Sequence, residues 1–164
     1  MPTDIEIIKY RDAGRAQTYG ASDPNAAVRQ QNTYFVHFSK ASDDAMASTT
    51  TSETYTGKII PHKARIRSIY YVATTGGITA NDTNYATVTV SKRDSAAANQ
   101  LTVATLTTTI TSSGNVTQGA PKALVLTDAN IIVDALSTLT FTIAKAASGV
   151  VVRAGDFLVE LERV

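Results

Sequence analysis

Five consecutive residues, Leu139-Thr140-Phe141-Thr142-Ile143, alternate apolar and polar side chains without a break, and that period of two constrains the fold more than any other feature of the chain. In an extended strand successive side chains point to opposite faces, so Leu139, Phe141 and Ile143 share one face and the threonines share the other. The same period recurs elsewhere. Ala86, Val88 and Val90 alternate with Thr87, Thr89 and Ser91; Tyr34, Val36 and Phe38 alternate with Phe35 and His37; Phe157, Val159 and Leu161 alternate with Leu158, Glu160 and Glu162. Each run reads as a half-buried strand. Frequent threonine, valine and isoleucine favour the same state, and alanine-rich stretches such as Ser95-Ala96-Ala97-Ala98 are too short for long helices.

Between these runs stand Gly76-Gly77, Asn81-Asp82, Ser112-Ser113-Gly114-Asn115, Gly119-Ala120-Pro121, Ser148-Gly149 and Ala154-Gly155-Asp156, residue types that reach the backbone angles tight turns need. They delimit strands at about 33–40, 53–60, 64–74, 84–93, 99–111, 122–127, 139–145 and 157–163. The fold class expected is therefore all-β, an eight-stranded antiparallel jelly-roll sandwich with an extended N-terminal arm. Residues 128–136 fit a short strand, a turn or one helical turn equally well, and periodicity leaves them unassigned.

A chain of 164 residues suits one compact domain, placed at 33–164. Fifteen basic and fourteen acidic residues leave a net charge of +1, which argues against nucleic acid as a partner because phosphate neutralisation needs a strong basic surplus. With no cysteine there is neither a disulfide framework nor a thiolate metal site. The start, Met1-Pro2-Thr3-Asp4-Ile5-Glu6, lacks a basic, apolar leader, and no run approaches the roughly 18 apolar residues of a membrane span. A soluble protein made in the cytoplasm, with no membrane partner, is expected.

Residues 1–32 have thinly spaced apolar residues among alternating charges, and read as an arm. Two readings stay open: a terminus that frays in solution, and a segment in which Ile5, Ile7, Ile8 and Tyr10, with Arg11 and Arg15 beside them, dock on a neighbouring subunit by adding a strand or filling a groove.

Three stretches of the remaining chain, in order, carry a family resemblance covering roughly residues 58–164. They are Ile60-Pro61-His62-Lys63-Ala64-Arg65-Ile66-Arg67-Ser68-Ile69-Tyr70-Tyr71-Val72, Asn81-Asp82-Thr83-Asn84-Tyr85-Ala86-Thr87-Val88-Thr89-Val90, and Val152-Arg153-Ala154-Gly155-Asp156-Phe157-Leu158-Val159-Glu160-Leu161-Glu162. Their order resembles the jelly-roll head proteins of tailed bacteriophages. The resemblance implies a structural virion protein, a decoration or cement subunit that binds the major capsid protein on the outer capsid surface. It also implies a homotrimer and an arm that reaches the capsid.

Interface candidates in the body follow from the strand at 64–74. Ile69 and Tyr71 oppose Tyr70 and Val72, so both faces of this strand are apolar and one of them needs a covering subunit. Lys63, Arg65 and Arg67 share a face opposite Ile66, while Glu160 and Glu162 share a face opposite Val159 and Leu161. Jelly-roll order places the C-terminal strand between the first strand and the strand at 64–74, which would bring Arg67 near Glu160 and Arg65 near Glu162.

Chemistry is harder to find. A cupin-type metal site needs clustered imidazoles, whereas His37 and His62 are the only histidines and neither has a second nearby in sequence. There is no Gly-x-Ser-x-Gly elbow, no phosphate-cradling glycine loop and no cysteine nucleophile. The expectation is no enzyme, no catalytic residue, no cofactor and no metal. Asp43-Asp44 sits in a polar segment and reads as a solvated loop, with a weak calcium site as the remainder. A carbohydrate-binding module on a virion is the alternative function, and its aromatic platform would rest on Tyr71 and Tyr85.

Overall fold

The alternating runs become strands of two antiparallel sheets. A computed structural model of the chain describes residues 32–43, 52–55, 57–96, 98–147 and 150–164, with Ser52–Tyr55 described by its backbone. Chain order is β1 (Thr33–Lys40), β2 (Ser52–Tyr55), β3 (Ala64–Ala73), β4 (Ala86–Arg93), β5 (Gln100–Thr107), β6 (Pro121–Ala123), β7 (Val125–Leu126), a 3-10 turn (Asp128–Asn130), β8 (Ile132–Val133), β9 (Thr138–Lys145) and β10 (Gly155–Arg163). The proposed arm, with Ile5, Ile7, Ile8, Tyr10, Arg11 and Arg15, lies outside the described residues.

One sheet has the order β1-β10-β3-β6, with β8 also pairing β3, and the other has the order β2-β9-β4-β5-β7. This is jelly-roll order, and the C-terminal strand stands between β1 and β3 as the sequence predicts. Where eight strands are expected, the described residues form ten strand segments, for two reasons. The run expected at 122–127 divides: β6 pairs β3 in the first sheet and β7 pairs β5 in the second, while Leu124 between them turns inward and its N–H donates to the Ile69 carbonyl at 2.9 Å. Residues 128–136 then contain all three unassigned alternatives in turn, the 3-10 turn, β8 and a tight turn before β9.

Apolar faces of the two sheets meet in one core. Across it runs a chain of rings from four strands: Phe38 lies 4.2 Å from Phe141, Phe141 lies 4.6 Å from Phe157, and Phe157 stacks at 4.7 Å on Tyr71, centroid to centroid. The Tyr71 hydroxyl donates to the Arg153 carbonyl at 2.6 Å, so its one polar atom is satisfied inside. Threonine's abundance finds its place on the outer face of the second sheet, where Thr142, Thr89 and Thr105 line up across β9, β4 and β5. Beside them the Thr87 and Thr107 hydroxyls lie 3.4 Å apart. β-Branched side chains suit this half-exposed pleated surface.

Candidate interaction surface

The outer face of the first sheet carries most of the charged and aromatic residues singled out above, and its layout follows from one irregularity. From the β10 side the register reads Glu160↔Ser68 and then Leu161↔Ile66, so Arg67 is an extra residue on β3 with no partner opposite, a β-bulge. The bulge reverses the alternation. Ile66 faces inward before it, and after it Ile69, Tyr71 and Ala73 face inward, all nearly inaccessible to solvent.

Two expectations are corrected by this shift. Ile69 and Tyr71, expected at an interface, are core side chains, and the outward residues of β3 are Tyr70 and Val72. An aromatic platform on Tyr71 is therefore excluded; the outward ring of β3 is Tyr70. The ion pairs also move by one step. Arg67, set free by the bulge, reaches Glu162 at 2.5 Å, while Glu160 accepts from the Ser68 hydroxyl at 2.6 Å. Arg65 lies opposite Glu162 in the register, as expected, but the close contact to that carboxylate comes from Arg67. Lys63, just before β3, stands 3.8 Å from Asp134.

Because Arg67 and Glu162 are both partly exposed, solvent screening holds their pair to about 0.2–1 kcal/mol. A double-mutant cycle on Arg67→Ala and Glu162→Ala, read from urea midpoints, should show a coupling in that range. The corresponding cycle on Arg67 and Glu160 should show none. Coupling to Glu160 instead would mean that the register lacks the bulge.

The rest of the face completes a mixed surface. Leu158 pairs with Tyr70, which pairs on its other side with Ala123, and Pro121 lies opposite Val72. This places an apolar strip across β10, β3 and β6, and Phe35 on β1 is also exposed. Towards one end of the strip Asp156 is held by His37 Nε2 at 3.1 Å and by the Ser39 hydroxyl at 2.8 Å. Towards the other stand Arg65, Arg67, Glu160 and Glu162. An apolar centre between polar margins is the anatomy of a protein–protein contact. The serine–aspartate–histidine grouping is not a nucleophile–base pair, because the hydroxyl donates to the carboxylate and not to the imidazole.

Asp43 has a structural use. One oxygen accepts from Thr75 Oγ1 at 2.5 Å and from the Ala154 N–H at 2.7 Å, and the other from Arg153 Nη1 at 2.8 Å, so the carboxylate fastens the chain after β1 to the turns after β3 and before β10. Hydrogen bonds from Thr75, then Ala154, then Arg153 hold its carboxyl well below the usual carboxylate range. Because the folded-state value is the lower one, the stabilisation is fully present above about pH 4 and is lost as pH falls further. The melting temperature of the wild type should therefore exceed that of Asp43→Asn by a constant margin between pH 6 and pH 8, and the margin should close in acid; a margin that widened in acid would contradict the assignment. Asp44 lies outside the described residues. Among the described residues no group of three His, Cys, Asp or Glu side chains is placed to hold a metal ion.

No family model and no curated protein matches this chain. Among solved structures, a chain in the structure of infectious bursal disease virus, Gx strain, is similar at 11% sequence identity and a TM-score of 0.38, over 80% of this chain and 32% of that one. The present chain thus spans about a third of the length of that neighbour.

Of the sequence-derived site residues, the structure brings Arg65 and Arg67 together with Glu160 and Glu162 on one face. It sets Lys63 at the end of that face and removes Ile69 and Tyr71 to the core. Sequence reasoning missed Phe35, Tyr70, Val72 and Leu158 as members of the surface. The inward positions 64, 66, 69, 71 and 73 step by three between Ile66 and Ile69, where a regular strand steps by two, and the continuous apolar run from Ile69 to Ala73 hides that step in the sequence.

Proposed function

We propose that the chain is a structural subunit of a virion, a decoration or cement protein that binds the major capsid protein on the outside of a phage head and assembles there as a homotrimer. The observation that carries this reading is the outer face of the β1-β10-β3-β6 sheet, where Tyr70, Val72 and Leu158 form an apolar centre between charged margins. A sheet face of this composition suits another folded protein better than a small ligand. Jelly-roll strand order supports the reading too, since it is the topology that the resemblance to phage head proteins implies. In this role the protein has no reaction to catalyse and works through its surfaces.

Mixing the purified chain with undecorated capsids tests the proposal. Stoichiometric co-sedimentation is the expected result, and a chain that stays in the supernatant at every concentration would defeat it. Light scattering should give the mass of three copies. Deleting residues 1–32 is expected to leave the melting temperature of the sandwich nearly unchanged while weakening attachment, as an arm that contributes contacts only in the complex would. A deletion that unfolds the body would refute the arm's role.

A further inference from the structure

One end of the sandwich carries a feature that the fold does not need. Three segments meet there: residues 58–63, the turn at 134–137 and the end of β10. The Leu136 N–H donates to the Ile60 carbonyl at 2.7 Å, the Ile60 N–H donates to the Ser137 carbonyl at 2.8 Å, and the Val164 N–H donates to the Lys63 carbonyl at 3.3 Å. These bonds bring Ile59, Leu136 and Val164 to one end of the molecule, with 63%, 62% and 58% of their surfaces exposed.

Leu136 is the informative one. Its φ of +63° puts it in the left-handed region, which a bulky L-residue occupies at a cost and which glycine or asparagine occupies readily. The turn demands that angle but not that side chain, and the exposed leucine returns no core packing. A strained backbone carrying an outward apolar group points to a contact made outside the domain.

The surrounding charge says what kind of contact. Among the described residues Lys63, Arg65, Arg67 and Arg163 stand at this end against Asp134 and Glu162, and both acids are already engaged, by Lys63 and by Arg67. The surplus is positive, so a second copy of the same end would meet it with like charge. We infer that Leu136 and Ile59 are apolar anchors, in a basic surround, for an acidic, apolar-centred patch on the particle's shell protein. The outer face of the first sheet is then left for contacts between copies of this chain. This assignment rests on the structural-subunit reading above and divides its two kinds of contact between two surfaces.

The test uses the full chain and shells that lack it, in co-sedimentation at low and high salt, with Leu136→Asn and Ile59→Asp as variants. Leu136→Asn should melt about 2–4 °C above the wild type, because the strain is relieved. It should nevertheless bind at least about tenfold more weakly, as loss of an anchor does. Ile59→Asp should melt within about 2 °C of the wild type and lose at least as much binding, and high salt should weaken the wild type. If the wild type sediments with shells and both variants do so equally well, the end is not the docking surface and the structural-subunit reading stands. A Leu136→Asn chain less stable than the wild type would also overturn the inference, since the leucine would then be serving the fold. A wild type that never sediments overturns both.

Discussion

Replacing Phe141 by alanine is expected to destabilise the domain by about 3–5 kcal/mol, a large share of the roughly 5–15 kcal/mol that holds a domain together. Phe141 is almost wholly buried and touches rings on both sides, Phe38 from β1 and Phe157 from β10. Its loss would remove the one ring that the second sheet contributes to this aromatic chain, and neighbours fixed in strands can close the gap only in part. The urea midpoint should fall steeply with the slope nearly unchanged, because the surface exposed on unfolding stays about the same. A loss below about 1 kcal/mol would show that the sheets do not meet through this ring.

Gly155→Ala should be nearly as damaging, for the opposite reason. A β-carbon at residue 155 would lie 2.3 Å from the Val72 carbonyl oxygen, 2.8 Å from Tyr71 Cε2 and 3.1 Å from the Ala73 α-carbon. The first and third of these are backbone of the paired strand and cannot swing aside, so β10 would have to lift off β3 where its pairing begins, at a cost of about 3 kcal/mol. Gly119→Ala supplies the contrast. Gly119 has a φ of +74° and open space around its α-carbon, so alanine there meets backbone strain alone, about 1 kcal/mol. Equal losses at the two sites in urea titrations would mean that the close packing of Gly155 against β3 is wrong.

Much of this architecture could be read from residues alone because alternation is a local property. β4, β9 and β10 are regular enough that each inward residue follows from its neighbours two positions away, and the turn residues between them bound each strand. What escaped is non-local. The bulge at Arg67 exists because two strands of different phase must share one register, and extending the period of two across it put Ile69 and Tyr71 on the wrong face. The run 122–127 looks like one strand until Leu124 is seen passing from one sheet to the other. Asp43 reads as loop because its partners lie 32, 110 and 111 residues away. The left-handed Leu136 carries no sequence mark at all, being one more apolar residue in a turn that any chain of this composition could contain.

The position of β10 also sets the timing of folding during synthesis. It follows the other nine described strands of the sandwich in chain order, yet it lies between β1 and β3, so the first sheet cannot close until residues 155–163 have left the ribosome. Until then β3 displays Ile66, Ile69 and Tyr71 with no strand beside it on that edge, and β1 waits across a gap that one strand alone can fill. A chain stalled or truncated short of Gly155 leaves two unpaired edges and an open core, the kind of species that aggregates or is degraded. Closing contacts more than a hundred residues apart, such as that between Ser39 and Asp156, further places this domain among slow folders. Its production in a cell therefore depends on residues 155–163 as much as on the strands that precede them.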